Sequence, residues 1–315
     1  MPVETMFVDE IGSPFVSDAK LQKMNTQDEI AFDEVAGTLA VMRHQEQTTY
    51  KRSDYLQGKE FHHVLDGSWR QRIVEWMYGV IDHCSLRRDS VASASYYLDL
   101  CVERGLVTTR EEYQLAAMTA LAIAIKLCDS TVVKLQSMVS LGRGLFTEDD
   151  VVKMESKMLT CLKWQVHPPT PVDFQRQFLR LMPESVSPLS RYMIAEVTRF
   201  ISEISVCLYK FVKYPPSVVA FASLLIALER VSLDPEQRSE IILIATQTGI
   251  DVASPEVIEA VSFLQASLEK NVSLQELMNT IHAQCHESSC KVQSTNFGRT
   301  LTGGMNSPRD VTGRE

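Results

Sequence analysis

At 315 residues the chain is long enough for about two domains of ordinary size. Its composition, 45% hydrophobic, 23% charged and 8% aromatic, excludes a fibrous repeat and a largely unfolded chain. A net charge of −9 argues against a nucleic-acid binder, which would present a basic face.

Residues 1–45 are acidic: up to position 50 there are nine Asp and Glu against Lys20, Lys23 and Arg43. This segment is expected to be mostly flexible, with short helices at most, around Glu34–Arg43. Asp66-Gly67-Ser68 then introduces a helix whose Trp69, Ile73, Trp76, Met77 and Val80 line one apolar face. A second helix is expected over about Asp89–Arg104, with Gly105 as its stop. Thr109 caps a third, which from Leu115 is apolar on nearly every face and strewn with alanines, as befits a helix surrounded by others. Thr147-Glu148-Asp149-Asp150 opens a further helix running to about Lys163. The run His167-Pro168-Pro169-Thr170-Pro171 breaks the pattern and marks a domain boundary.

Beyond it the scheme repeats, with helices expected over about 171–181, 188–212, 216–231, 235–248 and 255–284. The alanine-rich segment 117–124 has a counterpart in 220–227. Periodicity therefore predicts two all-helical domains of about 100 residues, each around a central hydrophobic helix. From His286 the chain is rich in Ser, Thr, Gly and Asn and reads as a flexible tail.

The seven cysteines are odd in number and scattered, which suits reduced thiols inside the cell better than a disulfide framework. The N-terminus has no apolar run of signal-peptide type, and the longest apolar stretch, residues 218–228, falls far short of the ~20 residues of a bilayer span. No membrane partner is expected. Walker, GxSxG, HExxH and kinase signatures are all missing, so neither catalytic residues nor a cofactor are expected. His282, Cys285, His286 and Cys290 are spaced like metal ligands, but only one such knuckle is present, so no metal site is assigned.

Over residues 69–164 the sequence resembles the cyclin box. Trp69-Arg70-Gln-Arg-Ile-Val-Glu-Trp76 stands where cyclins carry Met-Arg-Ala-Ile-Leu-Val-Asp-Trp; Tyr97-Leu98-Asp99, Gln114-Leu115, Ala124-Ile125-Lys126 and Met154-Glu155 match further box motifs. All five hallmark positions are thus filled, by Arg70, Asp99, Leu115, Lys126 and Glu155. Residues 162–183, with Leu162-Lys163-Trp164, Thr170-Pro171 and Met182-Pro183, look D-type-like, although no Leu-x-Cys-x-Glu motif is found. The resemblance implies an all-α fold of two tandem five-helix cyclin-box domains, over residues 46–166 and 167–285, between the acidic segment 1–45 and the tail 286–315.

It also implies a function: a non-catalytic regulatory subunit, nuclear and cytoplasmic, that binds a cyclin-dependent protein kinase around its αC helix and activates it in cell-cycle control. Lys126 and Glu155 would contact the kinase backbone. Arg70 and Asp99 would form a buried structural ion pair, and Leu115 would be core. The second repeat places Glu229 near the position of Lys126, so only the first box carries this contact chemistry. Trp69, Arg72, Ile73, Trp76, Arg110 and Gln114 match a groove that docks Arg-x-Leu motifs of substrates. Here Arg72 replaces an aliphatic residue and Gly79 an acidic one, so docking of basic motifs should be weakened. The alternatives are a cyclin-fold scaffold of transcription-initiation type, which the acidic charge disfavours, and a helical enzyme whose site carries no recognisable motif.

Overall fold

The computed structural model describes residues 26–56, 66–129 and 133–269, and among them there are eleven α-helices and no strand. Helix α1 (Thr26–Gln47) precedes a first bundle of α2 (Gly67–His83), α3 (Asp89–Glu103), α4 (Arg110–Cys128), α5 (Leu135–Leu141) and α6 (Glu148–Cys161). A second bundle follows: α7 (Pro171–Arg180), α8 (Pro188–Cys207), α9 (Pro216–Arg230), α10 (Pro235–Gln247) and α11 (Pro255–Glu269), with a short 3-10 turn at Tyr209–Phe211. This is the tandem five-helix arrangement expected.

Local chemistry sets the helix starts. Thr109 with Glu112, Thr147 with Asp150 and Thr170 with Asp173 form reciprocal capping boxes, each side chain satisfying the other residue's backbone N–H. Every helix of the second bundle begins on proline, whose missing N–H is no loss in a first turn. Gly105, at φ +75°, ends the turn after α3 in the left-handed region.

Helices α4 and α9 are the axes. Residues 116–125 of α4 and 216–228 of α9 are buried, and their alanines let α3 and α6, or α7, α8 and α11, approach closely. Leu115 departs from expectation. It is only half-buried, packing against the edge of the core between the buried Tyr113 and Ala116.

The acidic segment also departs from expectation. In place of short helices, α1 runs 22 residues and packs against α7 of the second bundle. Val35 and Leu39 are buried there. The guanidinium of Arg43 donates to the Thr248 carbonyl at 3.2 Å, and the Glu46 carboxylate accepts from the backbone N–H of Ser217 at 3.0 Å and from its hydroxyl. Glu46 thereby caps α9, whose N-cap Pro215 has no side-chain oxygen to offer. Residues 1–25, the tail from 286, the cluster His282, Cys285, His286 and Cys290, and the expected extension of α11 past Glu269 lie outside the described residues. Among the described ones, no helix is long and apolar enough to cross a membrane, and no group of three or more His, Cys, Asp or Glu could hold a metal.

Candidate interaction surface

The hallmark residues fall into three places. Arg70 of α2 and Asp99 of α3 meet in the interior. Arg70 Nε and Nη2 donate to the two Asp99 oxygens at 2.8 and 2.9 Å, and the Tyr55 hydroxyl donates to Asp99 Oδ1 at 2.8 Å. Burial works against the Arg70 charge, but Asp99 overrides it and holds the guanidinium above its ordinary pKa. The sequence did not disclose that Arg70 Nη1 also donates to the carbonyls of Val206 and Cys207, at 2.8 and 3.3 Å. Those carbonyls end α8, so one side chain joins α2, α3 and the second bundle. Nearby, Arg88 repeats the device: its Nε lies 3.0 Å from both oxygens of the buried Glu203 of α8, and it also pairs with Asp82.

Lys126 and Glu155 are on the surface. The last turn of α4 brings Lys126 Nζ to 2.8 Å from both Glu155 oxygens on α6, with the side chains 53% and 23% exposed. An ion pair this open contributes only about 0–1 kcal/mol. Exposed apolar side chains occur on the same elements: Leu127, next to Lys126 in sequence, Val152, one helical turn before Glu155, and Leu145, three residues before α6 starts, are 42%, 52% and 69% exposed. At the far end of α6 two successive non-glycine residues, Lys163 and Trp164, take φ of +53° and +60° and swing the Trp164 ring outward, 70% exposed. Left-handed conformations cost a bulky residue on the order of 1–3 kcal/mol. Periodicity could not find this feature, since a tryptophan after a helix reads as core. In the second bundle Glu229, at the place matching Lys126, accepts from Gln265 Nε2 at 3.2 Å.

The groove positions lie together on α2 and the start of α4. Ile73 and Trp76 are half-buried against the core, and Gln114 is half-buried as well. The Trp69 ring is flanked by two exposed guanidinium groups, Arg72 at 5.1 Å and Arg110 at 4.9 Å from the ring centroid. Besides adding a charge, Arg72 covers apolar surface of the indole.

The comparisons with known proteins agree with this architecture. The family model described as cyclin, N-terminal domain matches residues 38–167, and cyclin, C-terminal domain matches residues 169–297. Cyclin-A2-3 of Arabidopsis thaliana is 29% identical over 161 residues, 51% of this chain and 35% of that protein. An S-phase cyclin of Saccharomyces cerevisiae is 26% identical over 192 residues, 61% of this chain and 42% of that protein. The chain thus spans less than half the length of these curated relatives. They are A-type and S-phase proteins, so the D-type features read at 162–183 find no counterpart in their names. A crystal structure of a viral cyclin from herpesvirus saimiri superimposes with a TM-score of 0.51 at 16% identity, covering 71% of this chain and 97% of that one, which shows the shared fold.

Proposed function

Because this chain belongs to the cyclin family, we propose that it is a non-catalytic regulatory subunit that binds and activates a cyclin-dependent Ser/Thr protein kinase in cell-cycle control, acting in nucleus and cytoplasm. The observation that carries the reading is the exposed Lys126–Glu155 pair, with the exposed Leu127 adjoining Lys126 and the exposed Val152 one helical turn from Glu155. Charged donors and acceptors next to exposed apolar side chains are what a partner helix and its adjoining backbone need: the apolar side chains supply buried area, and the pair fixes orientation.

The mechanism follows from kinase physics. A kinase whose αC glutamate is turned away from its β3 lysine cannot position the ATP phosphates. A rigid helical body that packs against αC only in its inward position binds the active conformation better than the inactive one, and so shifts the population toward it. Rigidity comes from the ties between the two bundles, Arg70 to the end of α8 and Arg88 to Glu203.

The deciding experiment is affinity capture from cells with the wild type, Lys126→Glu and Glu155→Lys. A cyclin-dependent kinase should co-purify with the wild type, with histone-kinase activity in the eluate, and both variants should lose it. Capture of polymerase machinery with no kinase would favour the scaffold reading instead.

A further inference from the structure

Helices α3 and α6 pack against each other, and each carries a cysteine where it ends: Cys101 in the last turn of α3 and Cys161 as the last residue of α6. The two thiols lie in hydrogen-bond contact across this seam. Arg104, which follows α3, ties the two ends together, its Nη1 donating to the Cys161 carbonyl. The surroundings of the sulfurs differ. Cys101 is fully buried, and burial with the Cys161 sulfur beside it pushes its thiol pKa up, so it stays protonated at neutral pH. Cys161 is half-buried at the edge of the core and keeps part of its surface in solvent. The field of the Arg104 guanidinium reaches the pair, and a cation so placed favours a thiolate. A thiol open to small solutes, backed by a second thiol in contact with it, is the arrangement in which an oxidised sulfur is captured by its neighbour before it is oxidised further.

We infer that Cys161 is an oxidation site for hydroperoxides and that Cys101 is its resolving thiol, the two closing into a reversible disulfide between α3 and α6. In the first step the Cys161 thiolate attacks a peroxide oxygen. An S–O bond forms, the O–O bond breaks, and the leaving hydroxide takes up a proton as water; the sulfur is oxidised to a sulfenic acid and the peroxide is reduced. In the second step the Cys101 sulfur attacks the Cys161 sulfur. The S–S bond forms, the S–O bond breaks, and the departing hydroxyl leaves as water with the Cys101 proton. One peroxide and two thiols thus become one disulfide and two waters. A thiol reductant reverses the link by exchange, so the disulfide is a transient state in a reducing compartment. While it lasts, α6, which carries Glu155, is bonded covalently to α3, which carries Asp99.

The inference is independent of any kinase partner and is tested on the free, full-length chain. Native wild type, Cys101→Ala and Cys161→Ser are treated with hydrogen peroxide, with and without dimedone as a trap for sulfenic acid. Remaining thiols are alkylated in denaturant, and the digests are analysed by mass spectrometry without reductant. The exposed Cys84 serves as the internal reference for thiol oxidation. The wild type should yield a linked pair of peptides bearing Cys101 and Cys161, two hydrogens lighter than the separate peptides and split by dithiothreitol, with little dimedone adduct at Cys161. Cys101→Ala should carry that adduct at Cys161, and Cys161→Ser should leave Cys101 as an unlinked thiol. Free thiols at both positions while Cys84 is oxidised, a Cys161 adduct equal in wild type and Cys101→Ala, or Cys161 linked chiefly to another cysteine would each overturn the assignment. Should Cys101→Ala lose its helical circular dichroism, the presence or absence of the linked pair in the wild type decides alone.

Discussion

Glu46 of α1 caps α9 at Ser217, accepting its backbone N–H at 3.0 Å and its hydroxyl, over a sequence separation of 171 residues. The carboxylate is buried, and burial raises its pKa above the ordinary 4.5, a shift that the two Ser217 bonds oppose but do not cancel. An acid whose folded pKa is raised contributes stability fully below its unfolded pKa and loses it as pH climbs through the folded value. Melts of the wild type should therefore fall, relative to Glu46→Gln, as pH rises from about 4.5 through that elevated pKa. Below about pH 4.5 Glu46→Ala should cost about 1–3 kcal/mol, because the Ser217 donors are left buried without an acceptor, and the cost should shrink as pH rises. Parallel pH profiles for wild type and Glu46→Gln would refute the assignment.

Arg70→Ala and Asp99→Ala should each destabilise by about 3–5 kcal/mol, since either change strands the other charge in the interior. With about 2–4 °C per kcal/mol for a chain of this size, the loss is plain in a thermal melt. Arg70→Lys should rescue little, because an ammonium cannot make the forked contact to Asp99 and also reach the carbonyls of Val206 and Cys207. A melt of Arg70→Lys close to wild type would show that the charge matters and the geometry does not.

The opposite outcome is expected on the surface. Lys126→Glu and Glu155→Lys should each melt within a few degrees of wild type, as the pair is exposed and contributes about 1 kcal/mol at most. The double exchange, Lys126→Glu with Glu155→Lys, rebuilds an internal ion pair with reversed polarity. It should recover the stability lost in either single variant and still fail to capture a kinase, whose own donors and acceptors would face the wrong charges. Recovery of binding in the double variant would mean that the pair acts only by holding α4 to α6.

For the groove, Arg72→Ile with Gly79→Glu should strengthen binding of a basic Arg-x-Leu peptide by roughly tenfold, about 1–2 kcal/mol from two changed charges at a half-exposed site. Removing Arg72 also uncovers one side of the Trp69 ring, so Arg72→Ile alone should supply part of the gain. Fluorescence anisotropy with a labelled peptide measures both, and a wild type that already binds as tightly as the double variant would end the argument.

Much of the second bundle was legible because proline leads each of its helices, and much of the first because Thr109, Thr147 and Asp66 announce theirs. These signals are local. What escaped was set at a distance. Helix α1 reads as an acidic segment since its buried Val35 and Leu39 have their counterpart surface in α7, far along the chain. Helix α5, at seven residues, is too short for a period to register. In the candidate site, the cyclin-box resemblance singles out Lys126 and Glu155, which lie 2.8 Å apart. The exposure of Trp164 was invisible to it, because it arises from two left-handed backbone positions, and so was the reach of Arg70 to α8.

The placement of α1 has a consequence for how the molecule is made. Arg43 leaves the ribosome before its partner Thr248 by 205 residues, which at about 5–20 residues per second is roughly 10–40 s. Until α7 has followed, Val35 and Leu39 have no surface to cover them, and until α9 has followed, Glu46 has no helix to cap. The nascent chain is thus committed to a wait that its finished contacts cannot shorten, and α1 is the segment on which a chaperone acting during synthesis would find its hold.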